Sequence, residues 1–429
     1  MPITYRSTRG RESVSFAEAL LRGLAPDGGL YVPDAIPRMP LEEACAAGTF
    51  DELGFRVLET WLGEEIEDET LRCITQEALN LPVPIVPLEG VWKGIRVMEL
   101  FHGPTLSFKD FGARTMARCM KHILETRGER VTILVATSGD TGSAVADGFA
   151  GQDRIEVVLL YPKGKVSPVQ ERQLIAERPG VCALAVAGDF DDCQRMVKAA
   201  FVDPALAGVP LSSANSINIG RLLPQMLYYV WAVRSLRPAP VRFCVPSGNL
   251  GNLTAGILAH LSGMPVSGFL AAHNANDFFP RVLWGGDAAF APTVRTISNA
   301  MDVGAPSNFE RLATLLDPGR MRTLIRAERV SDEETIASIR RVYDETGYVA
   351  DPHTAVGLEA VRRGGGGAAP HAPTVVLATA HPAKFPETVA GALGFAPKEP
   401  DRLAALLDGP VAVEDVSPTL EALRERLRA

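Results

Sequence analysis

The spacing of apolar and polar positions changes along the chain, and the changes mark out its organisation. Between residues 41 and about 80, apolar residues such as Leu58, Trp61 and Leu62 recur at helical spacing in an acidic background, which predicts amphipathic helices. Upstream, Ser15 and Glu18 have capping-box spacing ahead of Ala19-Leu20-Leu21, so a helix is predicted to open near residue 15. It ends at Ala25-Pro26-Asp27-Gly28-Gly29, and the short apolar run Leu30-Tyr31-Val32 follows. Farther on the pattern becomes β-rich at Val131 to Ala136, Ile155 to Tyr161, Val241 to Val245 and Val375 to Ala378. Each of these runs leads into a glycine-containing turn and a helical stretch. Strands alternating with helices over this length predict parallel, doubly wound sheets. The expected architecture is α/β, with two doubly wound, mostly parallel sheet lobes and an N-terminal, largely helical region. Expected boundaries are 1–85 for the N-terminal region, 86–225 and 226–400 for the lobes, and 401–429 for a charged helical tail without a chemical role.

Length and composition narrow the class. A chain of 429 residues exceeds one small core, and 46% hydrophobic with 22% charged residues is ordinary for a globular enzyme. The net charge of −8 speaks against general binding to nucleic acid or anionic membranes. The start, MPITYRSTRGRESVSF, has no apolar core of the kind a signal peptide needs, and the longest apolar run, Met226 to Val233, is too short to span a bilayer. Cys45, Cys73, Cys119, Cys182, Cys193 and Cys244 are scattered without a CxxC pair or matching histidines, so neither a metal site nor a disulfide framework is indicated. A cytoplasmic location is expected.

Charge type is more informative than net charge. Of 43 basic residues only eight are lysine, yet Lys109 stands in FHGPTLSFKDFG between Phe108 and Phe111. Arginine cannot serve where a deprotonated primary amine is needed, whereas a lysine in apolar surroundings can lose its proton near neutral pH and attack a carbonyl. An ordinary solvated lysine at a helix start is the competing reading.

Three loops follow predicted strands, where ligands gather in open α/β sheets. ATSGDTGSA (136–144) offers Ser138, Asp140 and Thr141 beside two glycines, although plain helix capping also uses such a turn. VPSGNLGNLTAG (245–256) runs Gly248, Asn249, Leu250, Gly251 and Asn252 directly into a helix, which suits a phosphate monoester. It lacks both the Walker A and the GxGxxG fingerprint. In ATAHPAKF (378–385), Thr379 at the strand end could hydrogen-bond a pyridine nitrogen without forcing its protonation, or could satisfy its own backbone. SANSINIGRL (213–222) concentrates Asn215, Ser216, Asn218 and Arg221, a donor set that suits a dianionic group. His102, His353 and His381 lie in polar contexts where each could meet an anion or be structural.

A reactive lysine, a phosphate cradle and a neutral hydroxyl for a ring nitrogen form the inventory for pyridoxal phosphate. In this order, with GLAPDGGLYVP (23–33) and SNAMDVGAPSN (298–308), they closely resemble the threonine synthases of bacteria and fungi, among the fold type II pyridoxal-phosphate enzymes. The resemblance covers nearly the whole chain. One departure is Leu250, where the family commonly has Phe, apolar for apolar. The resemblance implies that Lys109 links to the cofactor aldehyde, that Gly248, Asn249, Leu250, Gly251 and Asn252 hold its phosphate, and that Thr379 faces its pyridine nitrogen. It implies O-phospho-L-homoserine as substrate, converted with water to L-threonine and phosphate. Ser138, Asp140 and Thr141 would receive the substrate carboxylate and amino end. Asn215, Ser216, Asn218 and Arg221, with Thr105, Lys384 and His353, are candidates for the leaving phosphate. Lys109 would act as the base for the α-proton, and water would add at the β-carbon after loss of the γ-phosphate.

Three alternatives remain at this level. A phospho-lyase releasing 2-oxobutyrate would share every motif and differ only in water placement. A serine/threonine dehydratase has no need of the donor set at 215–221, and a phosphate-metabolite-binding regulatory protein has no need of Lys109 or Thr379. The expected partner is the small-molecule substrate, with the chain a monomer or homodimer.

Overall fold

The structure, a computed structural model, describes residues 2–137, 139–286, 289–364 and 372–428. Two parallel sheets form its frame. The larger has six strands in the order Ile325–Arg329, Val266–His273, Val241–Pro246, Thr374–Ala378, Ile95–Glu99 and Ile85–Pro87, with only the last antiparallel to its neighbour. The smaller has five, all parallel, in the order Glu414–Val416, Val181–Val186, Ile155–Pro162, Val131–Ala136 and Leu211–Ser212. Both carry helices on both faces, which explains why their strands read as apolar runs rather than alternating ones. In Val131–Ala136, Ile133 and Val135 enter the large central core with Met116, Met120 and Val145. Leu134 and Ala136 enter a separate core with Met196 and Leu423. Likewise Phe243 and Val375 face the central core, while Cys244 and Val376 face Leu358 and Val342.

The two-lobed α/β architecture is the expected one, and all four β-rich runs are strands of these sheets. Sheet membership, however, does not follow single cuts in the chain. Residues 85–99 contribute two strands to the six-stranded sheet with 241–378, and Glu414–Val416 adds an edge to the five-stranded sheet. The tail is therefore not purely helical: a strand lies between helices Asp401–Asp408 and Leu420–Arg428. Three β-residues flanked by Gly409-Pro410 and Ser417-Pro418 are too few to show a period in sequence.

The N-terminal region holds helices Leu41–Ala46, Phe50–Leu62 and Asp68–Ala78, with Leu58, Trp61 and Leu62 buried, beside a small antiparallel sheet of Ser13–Val14, Tyr5–Ser7 and Tyr31–Pro33. Ser15 caps the helix Phe16–Arg22 by accepting from the Glu18 N–H at 3.2 Å. The return bond of a capping box is replaced by tertiary contacts. Glu65 accepts from the Phe16 and Ala17 N–H groups at 2.6 and 2.9 Å, and Glu18 pairs with Arg22 and Arg127. No helix among the described residues is long and apolar enough to cross a membrane.

Candidate active site

Lys109 opens the helix Lys109–Arg127, and the loop before it is held from several sides. The Phe108 N–H donates to the Thr379 carbonyl at 2.9 Å, and the His381 N–H to the Leu106 carbonyl at 3.0 Å. Asp110 accepts from the Thr105 N–H at 2.9 Å and from its hydroxyl at 2.5 Å. Gly103 is required here, because a Cβ would lie 2.2 Å from Asp110 Oδ2. Leu106 takes a left-handed conformation at φ 58°, costly for a residue with a branched side chain. Behind the helix start, buried Arg221 donates to the Lys109 carbonyl at 3.4 Å and the Ala214 carbonyl at 2.7 Å.

This setting depresses the basicity of Lys109, whose pKa falls from 10.5 to about 8. Burial is the main cause, with Asp140 opposing and Lys384 and Arg221 adding to the drop. The two flanking aromatics do not share the role that sequence gave them. The Phe108 ring lies 5.8 Å from the amine, whereas Phe111 turns into the core against Phe50 and Tyr228.

The cradle at 248–252 forms as its glycines suggest. Strand Val241–Pro246 ends, and the chain turns into helix Gly251–Leu261 through Leu250 at φ 62°, ψ 5°. The backbone N–H groups of Gly248, Asn249, Leu250, Gly251 and Asn252 have no acceptor among the described residues. Five adjacent free donors at a helix start are the arrangement that an anion accepts. A Cβ on Gly248 would meet Met301 Cα at 2.8 Å. The Asn249 side chain instead ties loops together, donating to Ser216 Oγ and accepting from the Ser307 N–H, both at 2.6 Å. Asn252 Oδ1 accepts from the hydroxyls of Tyr228 and Tyr229 at 2.6 and 2.7 Å, and its buried Nδ2 has no partner among the described residues. At the neighbouring strand end, the Thr379 carbonyl is taken by Phe108, while its hydroxyl has no protein partner among the described residues. An amine near neutrality, an unfilled row of N–H donors and a free hydroxyl together fit pyridoxal phosphate.

A buried ion pair adjoins them. Lys384 Nζ lies 2.7 Å from Asp140 Oδ1 and also donates to the Thr105 carbonyl at 2.9 Å. Burial works against the charge of Asp140, but Lys384 and Lys109 outweigh it and hold the carboxyl well below its usual range. Gln170 donates to Asp140 at 3.0 Å and accepts from Asn299 at 3.0 Å, so this network joins the two lobes. In the loop after Val131–Ala136, the Thr137 hydroxyl accepts from the Gly139 and Gly142 N–H groups at 3.0 and 2.8 Å, which leaves fewer free donors than the sequence suggested. Ser138 lies outside the described residues, and Thr141 is half-buried with its hydroxyl unengaged among them.

Several residues expected to meet the substrate are occupied with the framework. Fully buried Asn218 donates to the carbonyls of Leu20 and Ser213 and accepts from the Gly220 N–H. His353 Nε2 accepts from the Ala300 N–H at 3.1 Å and Nδ1 bonds Asp351 at 2.8 Å, which places the ring proton on Nδ1. Thr105 is engaged as described above, whereas Arg221 is engaged only through its two Nη atoms. Its buried Nε and the buried Asn215 Oδ1 have no partner among the described residues. A cavity of about 540 Å³ opens beside the ion pair, lined by Ser167, Arg295, Thr296, Asn299, Asp302 and Lys384 among others. Lys109 is not among the residues that line it; Lys384, which pairs with Asp140, is.

Sequence reasoning missed Gln170, Asn299, Thr137 and Asp351. Ser167-Pro168-Val169-Gln170 and Asp351-Pro352 carry legible helix-start signatures, and both helices form there. The reach of Gln170 to Asp140 across the fold left no local signal.

Three family models match: "Threonine synthase N terminus" over residues 4–79, "Pyridoxal-phosphate dependent enzyme" over 79–380 and "Threonine synthase, C-terminal" over 354–426. The threonine synthase of Escherichia coli is 41% identical over 421 residues, 96% of each chain, and that of Serratia marcescens 42% identical over 430 residues, 97% of this chain and 96% of its own. Among solved structures, PLP-bound threonine synthase from Brucella melitensis superposes with a TM-score of 0.93 at 37% identity, covering 99% of both chains.

Proposed function

Because the chain belongs to the threonine synthase family of pyridoxal-phosphate enzymes, we propose that it converts O-phospho-L-homoserine and water to L-threonine and phosphate. Pyridoxal phosphate, when bound, supplies an electron sink for the carbanion beside the substrate amino group. The N–H groups of residues 248–252 would hold its phosphate, Thr379 would offer its ring nitrogen a neutral partner, and Lys109 would supply the amine for its aldehyde. The observation that carries this reading is the row of five N–H groups without an acceptor. It is linked through Asn249 and Ser216 to the segment whose Arg221 braces Lys109.

The Lys109 amine would serve as the base that takes the α-proton. A pKa of about 8 leaves it partly neutral at physiological pH, as a general base requires. Asp140 and Lys384 act as a pair that sets the field around that amine. Thr141 and Ser138 receive the substrate carboxylate, and Asn215 and Ser216 take part in holding the γ-phosphate as it leaves. In this reading Asn218, Thr105 and His353 brace the loops around the site, and Arg221 braces the start of the Lys109 helix.

The test is to record the visible spectrum of the purified protein, add O-phospho-L-homoserine and identify the products. A cofactor band with threonine and phosphate in equal amounts supports the reading. Phosphate with 2-oxobutyrate would make the protein a phospho-lyase on the same cofactor. The absence of a band after addition of pyridoxal phosphate would remove Lys109 from its role.

A further inference from the structure

The loop that presents Lys109 contains a conformation it cannot be expected to hold alone. Leu106, three residues before the lysine, sits at φ 58°. A non-glycine residue stays in that region only when its surroundings over-determine it. Part of the restraint comes from the Gly103 carbonyl, three residues back, and from the His381 N–H in the loop after strand Thr374–Ala378. The rest comes from the C-terminal helix Asp401–Asp408. Leu106 is buried in a small apolar cluster with Ala383 and Leu403, against which Val169 and Leu407 pack. One turn of the same helix carries Arg402, whose Nη1 donates to the carbonyls of His102 at 2.6 Å and Gly103 at 2.8 Å. These carbonyls open the loop that ends at Lys109.

The far end of the helix is anchored too. Arg172 donates through Nε to the Leu407 carbonyl at 2.8 Å and through Nη2 to the Gly409 carbonyl at 2.6 Å. Arg172 belongs to the helix Pro168–Ile175, whose Gln170 bonds Asp140 and whose Gln173 donates to the Thr105 carbonyl at 3.1 Å. The tail helix thus spans between the loop that carries the amine and the helix that holds its neighbouring carboxylate.

We propose that the helix Asp401–Asp408 is a positioning element for Lys109, with Arg402 its principal contact, and that it fixes the amine relative to Asp140. The proposal rests on Lys109 being the cofactor lysine. It gives a role in catalysis to a segment of the chain that contributes no strand to either sheet.

The experiment compares the holoenzyme with Arg402→Ala, Arg402→Lys and Arg172→Ala. For each, it measures amide exchange over residues 102–108, the pH at which the visible cofactor band changes, and kcat and KM. In Arg402→Ala, exchange over 102–106 is expected to rise about tenfold while the rest of the lobe is unchanged. The band transition should move by about half a pH unit as the amine leaves its place beside Asp140. We expect kcat to fall about tenfold with KM within about twofold, as misplacement of a reacting group predicts. Arg402→Lys should recover most of each change, since an ammonium can donate to both carbonyls, and Arg172→Ala should reproduce them more weakly. An unshifted band and unchanged local exchange in Arg402→Ala would overturn the proposal. So would exchange raised throughout the lobe, which would make the helix a stability element only. A wild-type protein without a cofactor band would refute the assignment of Lys109 itself, a result separate from either of these.

Discussion

Replacing Lys109 with methionine should make the cofactor-free protein more stable at neutral pH, although it removes the residue on which the chemistry depends. The argument is one of linkage. A lysine whose folded pKa of about 8 lies below its unfolded value of 10.5 binds protons more weakly when folded, so below pH 8 its charge opposes folding. The penalty at pH 7 is about 3 kcal/mol, from a pKa of about 8 in place of 10.5 at about 1.36 kcal/mol for each tenfold change in proton affinity. As pH rises from 8 toward 10.5 the folded amine is already neutral while the unfolded one still holds its proton, and the penalty lifts. Between pH 7 and 10 the wild type should therefore gain about 2.5 kcal/mol relative to Lys109→Met. Methionine has similar length and no charge, so packing changes little. The assay is urea unfolding of both cofactor-free proteins at matched pH values, with the difference plotted so that other titrations cancel. A difference that stays flat from pH 7 to 10 would show that Lys109 is solvated like any surface lysine, and the physical basis for its reactivity would be gone.

The two members of the pair beside it should act in opposite directions on that amine. Lys384→Met leaves Asp140 without its nearest cation in a buried site, at a cost of about 3–5 kcal/mol in unfolding experiments, and it raises the pKa of Lys109 by removing a like charge. Asp140→Asn should lower that pKa, and the double variant should be less destabilised than the two single changes summed, which a double-mutant cycle would measure. The stabilisation from Asp140 is fully present above its unfolded pKa and is lost as the pH falls through its lower folded value, so it should be constant across pH 5 to 8. Gly248→Ala places a Cβ 2.8 Å from the Met301 backbone, and the cradle must shift to admit it. Cofactor affinity measured by fluorescence titration should fall about tenfold or more, and an unchanged affinity would count against the phosphate site. Asn218→Ala should cost about 2–3 kcal/mol in thermal stability, since two carbonyls and an N–H lose a buried partner. A KM effect without a stability effect would instead return Asn218 to the substrate.

How much could be read in advance depended on whether the cause was local. Strands such as Val131–Ala136 were visible because both of their faces are covered, which forces an apolar run. The cradle was visible because close approach at Gly248 and Gly251 imposes residue choices within a few positions. Lys109 and Thr379 were singled out by residue type. What sequence could not show was which polar side chains were already engaged. Asn218, Arg221 and His353 have the composition of a ligand site, yet their partners are backbone groups of their own and distant loops. The contact of Lys384 with the Thr105 carbonyl joins residues 279 apart, a pairing that periodicity and spacing cannot register. The tail strand escaped for a simpler reason, since three residues are shorter than any pattern.

The strand order of the larger sheet has a consequence for how the protein is made. Thr374–Ala378, the last of its six strands to leave the ribosome, is not an edge strand. It lies between Val241–Pro246 and Ile95–Glu99. A nascent chain that stops short of residue 374 holds two partial sheets, each with an open parallel edge and nothing to join them. Such edges are sticky, and they stay uncovered until residues 374–378 are made. Completion of this lobe therefore has to wait for a strand that fits between two parts synthesised before it. Lys109 waits with it, because the carbonyl that orders Phe108 belongs to Thr379, one residue past that final strand.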